Sequence, residues 1–98
     1  MEKAQVLAAF TAVMPAFAIF QDAKRQQLMT ELCCKGELTV NELTATTALS
    51  RPAVSHHLKL MLDAGVIKVR QVGVERRYSP DLGPVITNLK ALTAALES

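Results

Sequence analysis

The side chains best suited to chemistry in this chain are two adjacent cysteines. Cys33 and Cys34 are its only thiols, and a thiolate binds soft metals and reacts with oxidants when it is partly exposed. Neighbouring residues on a helix point about 100° apart, so both thiols cannot enter one core. Two interpretations stay open at this point: one thiol is buried as a small hydrophobe, or the pair is a sensor of a soft metal, a metalloid or an oxidant.

Basic residues form the second group with chemical potential, and they cluster in the second half of the chain. Residues 51–77 contain six lysines and arginines against two carboxylates, a local charge of +4 in a chain whose net charge is +2. Lysine and arginine bind nucleic acids by displacing counterions from phosphates. The distribution therefore favours a polyanionic partner, although six ordinary solvated charges would give the same count.

Patterns typical of enzymes and metal carriers are missing from the sequence. It has no Cys-x-x-Cys and no set of nucleophile, base and oxyanion donor. The adjacent cysteines cannot cross-link distant segments, so a reducing, cytoplasmic compartment is expected. The nearly uncharged residues 6–20 would reach only about 22 Å as a helix, against a hydrocarbon core of about 30 Å. We therefore expect no enzyme, no cofactor, no assigned metal and no membrane partner.

The elements that position these side chains follow from apolar spacing and capping signals. Apolar residues recur at helical spacing in residues 6–17 and 28–33, which predicts two helices in the first 34 residues. Pro15 lies inside the first pattern and is expected to kink or divide that helix. Thr39 and Glu42 have the spacing of a capping box, which predicts a short third helix.

A fourth helix is predicted at residues 51–64. Ser50 is a good N-cap, Pro52 suits the first turn, and Gly65 ends the helix. The apolar seam of this helix consists of Val54, Leu58 and Met61. Its basic and hydroxyl side chains therefore lie on or near the opposite side.

A β-hairpin and a last helix complete the chain. From Val66 the period changes to two, Gly73 lies in a short turn, and residues 76–79 return as a second strand. An apolar stripe then marks the last helix, at Val85, Leu89, Leu92 and Leu96. We expect one domain over residues 1–98, mainly α with a small β-hairpin in the order α-α-α-α-β-β-α. This is the arrangement of a winged helix-turn-helix.

Four segments in this order resemble one family of regulators. They are residues 38–43 (Leu-Thr-Val-Asn-Glu-Leu), 49–59 (Leu-Ser-Arg-Pro-Ala-Val-Ser-His-His-Leu-Lys), 64–67 (Ala-Gly-Val-Ile) and 76–78 (Arg-Arg-Tyr). Together they closely resemble the ArsR/SmtB family of bacterial winged-helix repressors, over roughly residues 22–79. The resemblance implies a homodimer that binds double-stranded DNA at an inverted-repeat operator and is released by a ligand or a redox signal.

The resemblance also implies which side chains meet DNA and which meet the second copy. The implied DNA contacts are Ser50, Arg51, Ser55, His56 and Lys59 at the fourth helix and Arg70, Gly73, Arg76 and Arg77 in the hairpin. The implied dimer interface is Val6, Phe10 and Val13 on the first helix and Val85, Leu89, Leu92 and Leu96 on the last. His57 takes the position of the family's usual histidine and borders the apolar seam, so we expect it to be structural.

The effector sites best known in this family are absent from the sequence. The arsenic site of the family has cysteines at the start of the third helix, where this chain has Thr39 and Asn41. The zinc site of the family uses aspartate and histidine pairs on the last helix, and residues 81–98 contain no histidine. Cys33 and Cys34 remain the candidate thiol sensor.

Two functions from different classes fit these patterns. The first is a dimeric, sequence-specific DNA-binding repressor, as the resemblance implies. The alternative is a winged-helix protein-protein interaction module, in which the basic surface of residues 51–77 meets an acidic partner without specific DNA binding.

Overall fold

A computed structural model describes residues 1–98 as five helices and three short strands. The elements are α1 (Lys3–Ile19), α2 (Ala23–Lys35), β1 (Leu38–Thr39), α3 (Val40–Ala45), α4 (Arg51–Asp63), β2 (Ile67–Val72), β3 (Glu75–Pro80) and α5 (Gly83–Glu97). The expected fold class, mainly helical with a small hairpin, is confirmed. The order contains one element that was not expected, the two-residue strand β1.

Helix α1 runs without interruption through Pro15, so the proline does not divide this helix, one of the two outcomes expected for it. Pro15 is exposed, while Val13, Ala16 and Ile19 are buried on another side of the helix. Proline removes one backbone donor, and packing along the buried side of this 17-residue helix compensates for that loss. The Glu2 carboxylate caps the first turn by accepting from two backbone amides.

The capping signals around α3 and α4 are confirmed. The Thr39 hydroxyl accepts from the amide of Glu42, and the Glu42 carboxylate accepts from the amide of Thr39. The Ser50 hydroxyl accepts from the amide of Ala53, and α4 ends at Asp63, one residue earlier than predicted. These caps satisfy amides that have no partner within the helix, and they set the short connection between the two helices.

The three strands form an antiparallel sheet in the order β1-β3-β2. Strand β1 pairs with β3 through Leu38 opposite Tyr78. The hairpin of β2 and β3, which we call the wing, closes with Val72 opposite Glu75, and Gly73 has φ +61°. A positive φ at the first of two turn residues is what a type II′ hairpin turn requires, and it favours glycine.

The buried side chains fall into two groups. The larger group joins α2, α3, α4 and the sheet around Leu28, Leu32, Leu43, Leu58 and Met61, all fully buried. The smaller group lies where α1 and α5 pack together and consists of Val13, Leu92 and Ala95. Ala16 and Ile19 of α1 belong to the larger group, so the larger core joins α1 to the helix-turn-helix, while α1 and α5 also have a contact of their own.

The molecule is elongated, with principal extents of 49 × 25 × 21 Å. Its accessible surface is 6006 Å², whereas a monomer of its size exposes about 5,500 Å². No single helix is long and apolar enough to cross a membrane; α1 and α2 meet that criterion only as a pair bent by 94°.

Candidate nucleic-acid interface

The outer side of α4 carries polar side chains, opposite a fully buried apolar side. Arg51, His56 and Lys59 are exposed, and Ser55 is half-buried. The buried side is Val54, Leu58 and Met61, the seam predicted from the sequence. Because the apolar side holds the helix against the core, α4 presents its polar side to solvent on a rigid support.

A cleft of about 430 Å³ lies between the polar side of α4 and the wing. It is lined by Val40, Arg51, Ser55, Lys59, Leu62, Arg76 and Tyr78. A second cleft of about 320 Å³ extends from it along α3 to the wing turn and shares Val40, Arg51 and Arg76 with the first. Three of the predicted contact residues from α4 and one from β3 therefore line the same concave surface.

Arg51 is held by a residue that the sequence analysis did not select. Its Nε donates to Oδ1 of Asn41 on α3, at 2.9 Å. Both side chains are exposed. No signal in the sequence predicted this contact, because the two residues are ten positions apart on different helices.

Two other basic residues of this surface have weak or no ionic partners. Lys59 lies 3.6 Å from Asp63 one turn further along α4, and 74% of its side chain is exposed. The guanidinium of Arg76 lies 5.9 Å from the centre of the Tyr78 ring, within the range of a cation–π contact. Both charges remain accessible to a phosphate.

The remaining two arginines of the wing are engaged by Glu37, which follows α2. Arg70 donates from Nε and Nη2 to the two carboxylate oxygens of Glu37, both at 2.8 Å. Arg77 lies 3.9 Å from Glu37 and also donates to Glu75, at 3.2 Å. The hydrogen bonds from Arg70 hold the pKa of the Glu37 carboxyl below its ordinary value and raise the pKa of Arg70. Glu37, which no pattern in the sequence indicated, partly neutralises two of the predicted DNA contacts.

The tip of the wing projects into solvent. Val74, next to Gly73, has 98% of its surface exposed. The Gln71 side chain donates to the carbonyl of Gly73, at 3.0 Å, which braces the turn. This protruding tip has no contact with the core.

His57 connects α4 to α2 rather than to the outer surface. Its Nδ1 lies 3.3 Å from Nη1 of Arg25, and Nε of Arg25 donates to the carbonyl of Ile19 at 2.8 Å. Arg25 also lies 3.9 Å from Asp22, the N-cap of α2. The structural role expected for His57 agrees with this position.

Cys33 and Cys34 are both exposed, in the last turn of α2. The interpretation in which one thiol is buried is therefore wrong for this chain. The packed side of α2 is a narrow stripe at Leu28, Met29 and Leu32, and both thiols lie outside it. No group of three or more cysteine, histidine or acidic side chains is placed to hold a metal ion.

The residues predicted for the dimer interface differ in their exposure. Val13 and Leu92 are buried between α1 and α5 of the same chain, and Val6 and Val85 are half-buried. Phe10, Leu89 and Leu96 are exposed. Further large apolar side chains are exposed on the same two helices: Leu7, Met14, Phe17 and Ile86.

Comparison with known proteins places this chain in one family. A profile described as "Bacterial regulatory protein, arsR family" matches residues 22–69. The HTH-type transcriptional regulator Rv2034 of Mycobacterium tuberculosis is 35% identical over 82 residues, which cover 84% of this chain and 72% of that protein. The chain belongs to the ArsR family.

Two further known proteins are similar to this ArsR-family chain. The arsenical resistance operon repressor of Bacillus subtilis is 36% identical over 62 residues, which cover 63% of this chain and 59% of that protein. The chain thus spans about three fifths of the Bacillus repressor. The homodimeric winged helix-turn-helix DNA-binding domain Mb0332 of Mycobacterium bovis has a TM-score of 0.71 at 18% identity, over 93% of this chain and 84% of that one. The last match supports the winged helix-turn-helix fold.

Proposed function

We propose that this ArsR-family chain is a dimeric, sequence-specific DNA-binding repressor. The observation that carries the proposal is the concave surface that Arg51, Ser55 and Lys59 of α4 share with Arg76 of the wing. An α-helix fits the major groove of B-DNA, where side chains contact base edges, and cations and hydroxyls bind the flanking phosphates. Family membership supports the same function.

The exposed apolar side chains of α1 and α5 support a homodimer. Phe10, Phe17, Ile86 and Leu89 are large and exposed, and Phe17, Ile86 and Leu89 line one apolar groove of about 460 Å³. A second copy placed against these helices would remove that apolar surface from water. Two copies related by a two-fold axis would place two α4 helices on half-sites about 34–36 Å apart.

Selection of bound DNA from a random pool tests the proposal. We expect enrichment of an inverted repeat and an affinity that falls steeply with salt concentration. Replacement of Lys59 by alanine should lower the salt slope by about one. Replacement of Lys3 by alanine removes the same charge from the start of α1, outside the proposed DNA-binding surface, and should leave the salt slope unchanged.

Two outcomes would contradict DNA recognition. An affinity that does not change with salt would exclude phosphate contacts. Selection without enrichment of any sequence, together with binding of an acidic protein partner, would favour the protein-protein interaction module.

We propose further that Cys33 and Cys34 receive the signal that releases DNA. Both thiols are exposed on one turn of α2, where a soft metal, a metalloid or an oxidant can reach them. Gly36 and Glu37 follow directly, and Glu37 binds Arg70 of the wing. A change at the thiols can therefore reach the DNA-binding surface through three consecutive residues and one ion pair.

Operator binding with and without cadmium, arsenite or diamide tests the sensor. Each effective reagent should weaken binding by the wild type and should have no effect on the variant with both Cys33→Ser and Cys34→Ser. An equal response of wild type and double variant would contradict the sensor and leave the DNA-binding proposal intact.

A further inference from the structure

The hydrogen bond between Asn41 and Arg51 joins the two helices of the helix-turn-helix at its outer surface. Asn41 is the second residue of α3 and Arg51 the first residue of α4. Both side chains are exposed, where each could be fully hydrated. Burial therefore does not force the two groups together, and the contact lies outside the core that holds the helices.

The bond leaves one edge of the Arg51 guanidinium free. Nε is engaged by Oδ1 of Asn41 at 2.9 Å, while Nη1 and Nη2 have no partner in the chain. The guanidinium is planar and rigid, so a partner at Nε restricts the plane of the whole group. Arg51 lines both clefts between α4 and the wing, and its free end belongs to the concave surface.

We propose that Asn41 is a positioning residue for Arg51 and thereby sets the base preference of the protein. With Nε occupied, Arg51 presents Nη1 and Nη2 as two donors to the O6 and N7 acceptors of a guanine in the major groove, a bidentate contact that distinguishes guanine from other bases. In this proposal Asn41 acts through Arg51. The inference rests on the proposed DNA-binding function.

Loss of Asn41 should weaken only sequence-specific binding. Without its acceptor the long arginine side chain must be ordered when DNA binds, at an entropic cost that corresponds to about a two- to tenfold loss of affinity. Binding to unrelated DNA depends on charge, which replacement of asparagine by alanine does not change.

A double-mutant cycle tests the coupling between the two residues. Asn41→Ala, Arg51→Ala and the double variant are compared with wild type on the operator recovered by selection and on an unrelated duplex. We expect Asn41→Ala to weaken operator binding about two- to tenfold, to leave binding to the unrelated duplex unchanged, and to have no further effect when Arg51 is already alanine. Additive losses, or an equal loss on both duplexes, would overturn the inference.

A measurement on the free wild-type protein tests positioning without any variant. The Nε proton of Arg51 should exchange with water more slowly than that of Arg76, whose Nε has no hydrogen-bond acceptor in the structure. Equal exchange rates measured by NMR would show that Arg51 is not held. A wild type that selects no DNA sequence would refute the proposed function instead, so the two failures are distinguishable.

Discussion

Arginines of the same surface differ in what they can offer a phosphate. The guanidinium of Arg76 lies over an aromatic ring and has no ionic partner, whereas Arg70 gives two donors to Glu37. Exposure alone does not reveal this difference, because 63% of the Arg70 side chain is exposed. The wing therefore carries less available charge than its residue types suggest, and Glu37 controls the remainder.

Replacement of Glu37 by glutamine should increase non-specific DNA binding. Glutamine removes the negative charge that faces Arg70 and Arg77. Arg70 loses its ionic partner and becomes available to phosphates, whereas Arg77 keeps its contact with Glu75. We expect tighter binding to an unrelated duplex and a salt slope steeper by about one, measured by fluorescence anisotropy at several salt concentrations.

Glu31→Gln is the matched control for this change. Glu31 pairs with Lys35 within α2, at 2.9 Å, so the substitution alters net charge equally but not at the wing. Identical salt slopes for the two variants would mean that Glu37 does not restrain the wing arginines.

At the scale of elements, carboxylates at helix starts make stability sensitive to acid. The amide of Thr39 donates to the Glu42 carboxylate, which holds the pKa of Glu42 below its ordinary value. The amides of Arg25 and Lys24 do the same for the pKa of Asp22. Such groups stabilise the fold above their unfolded pKa, and this contribution disappears as pH falls through the lower folded pKa.

Glu42→Gln should therefore flatten the acid dependence of stability. Glutamine keeps an acceptor for the Thr39 amide but does not titrate, so wild type should lose more unfolding free energy than the variant below about pH 4.3, the ordinary glutamate value. Urea unfolding at neutral pH and near pH 3.5 measures the difference. Glu97→Gln, at the last residue of α5, should retain the wild-type dependence; a flattened dependence in this control would contradict the explanation.

Elements marked by local signals were predictable from the sequence, and contacts between distant residues were not. The caps at Thr39 and Ser50 depend on residues three positions apart, and each was predicted correctly. Strand β1 has two residues and exists only because Tyr78 and Arg77 lie opposite it. Its pairing energy comes from the wing, so no pattern in residues 38–39 could indicate it.

The same distinction separates the features of the candidate site that were predictable from the sequence from those that were not. The polar side of α4 follows from helical spacing, because the seam of Val54, Leu58 and Met61 fixes which side is buried. The contact of Glu37 with Arg70 spans 33 positions. Cys33 is exposed because the packed side of α2 is narrow. The spacing of apolar residues predicted a wider packed side that included Cys33.

At the scale of the whole molecule, the exposed apolar side chains and the elongated shape both support the proposed second copy. Accessible surface exceeds that of a monomer of this size, and the large apolar side chains of α1 and α5 contribute to it. Val13 and Leu92 already pack within the chain. In our proposal, a second copy would therefore be held mainly by the exposed members of the predicted interface.

Replacement of Leu89 by glutamate should separate the proposed dimer. Leu89 borders the groove shared by α1, α2 and α5, and a buried unpaired carboxylate is strongly unfavourable. Light scattering after gel filtration should give the mass of a dimer for wild type and of a monomer for the variant, with weaker operator binding. Val74→Glu makes the same change at the wing tip and should stay dimeric; a dimeric Leu89→Glu variant would place the interface elsewhere.

The residues at positions 39 and 41 would complicate conversion of this protein into an arsenic biosensor. The obvious graft would replace Thr39 and Asn41 by the cysteines of the family's arsenic site. Here that graft would delete the hydroxyl that caps α3 and the acceptor that holds Arg51 in one step. The engineered reporter would gain thiols at the expense of promoter discrimination, so a leaky background signal is the expected design failure.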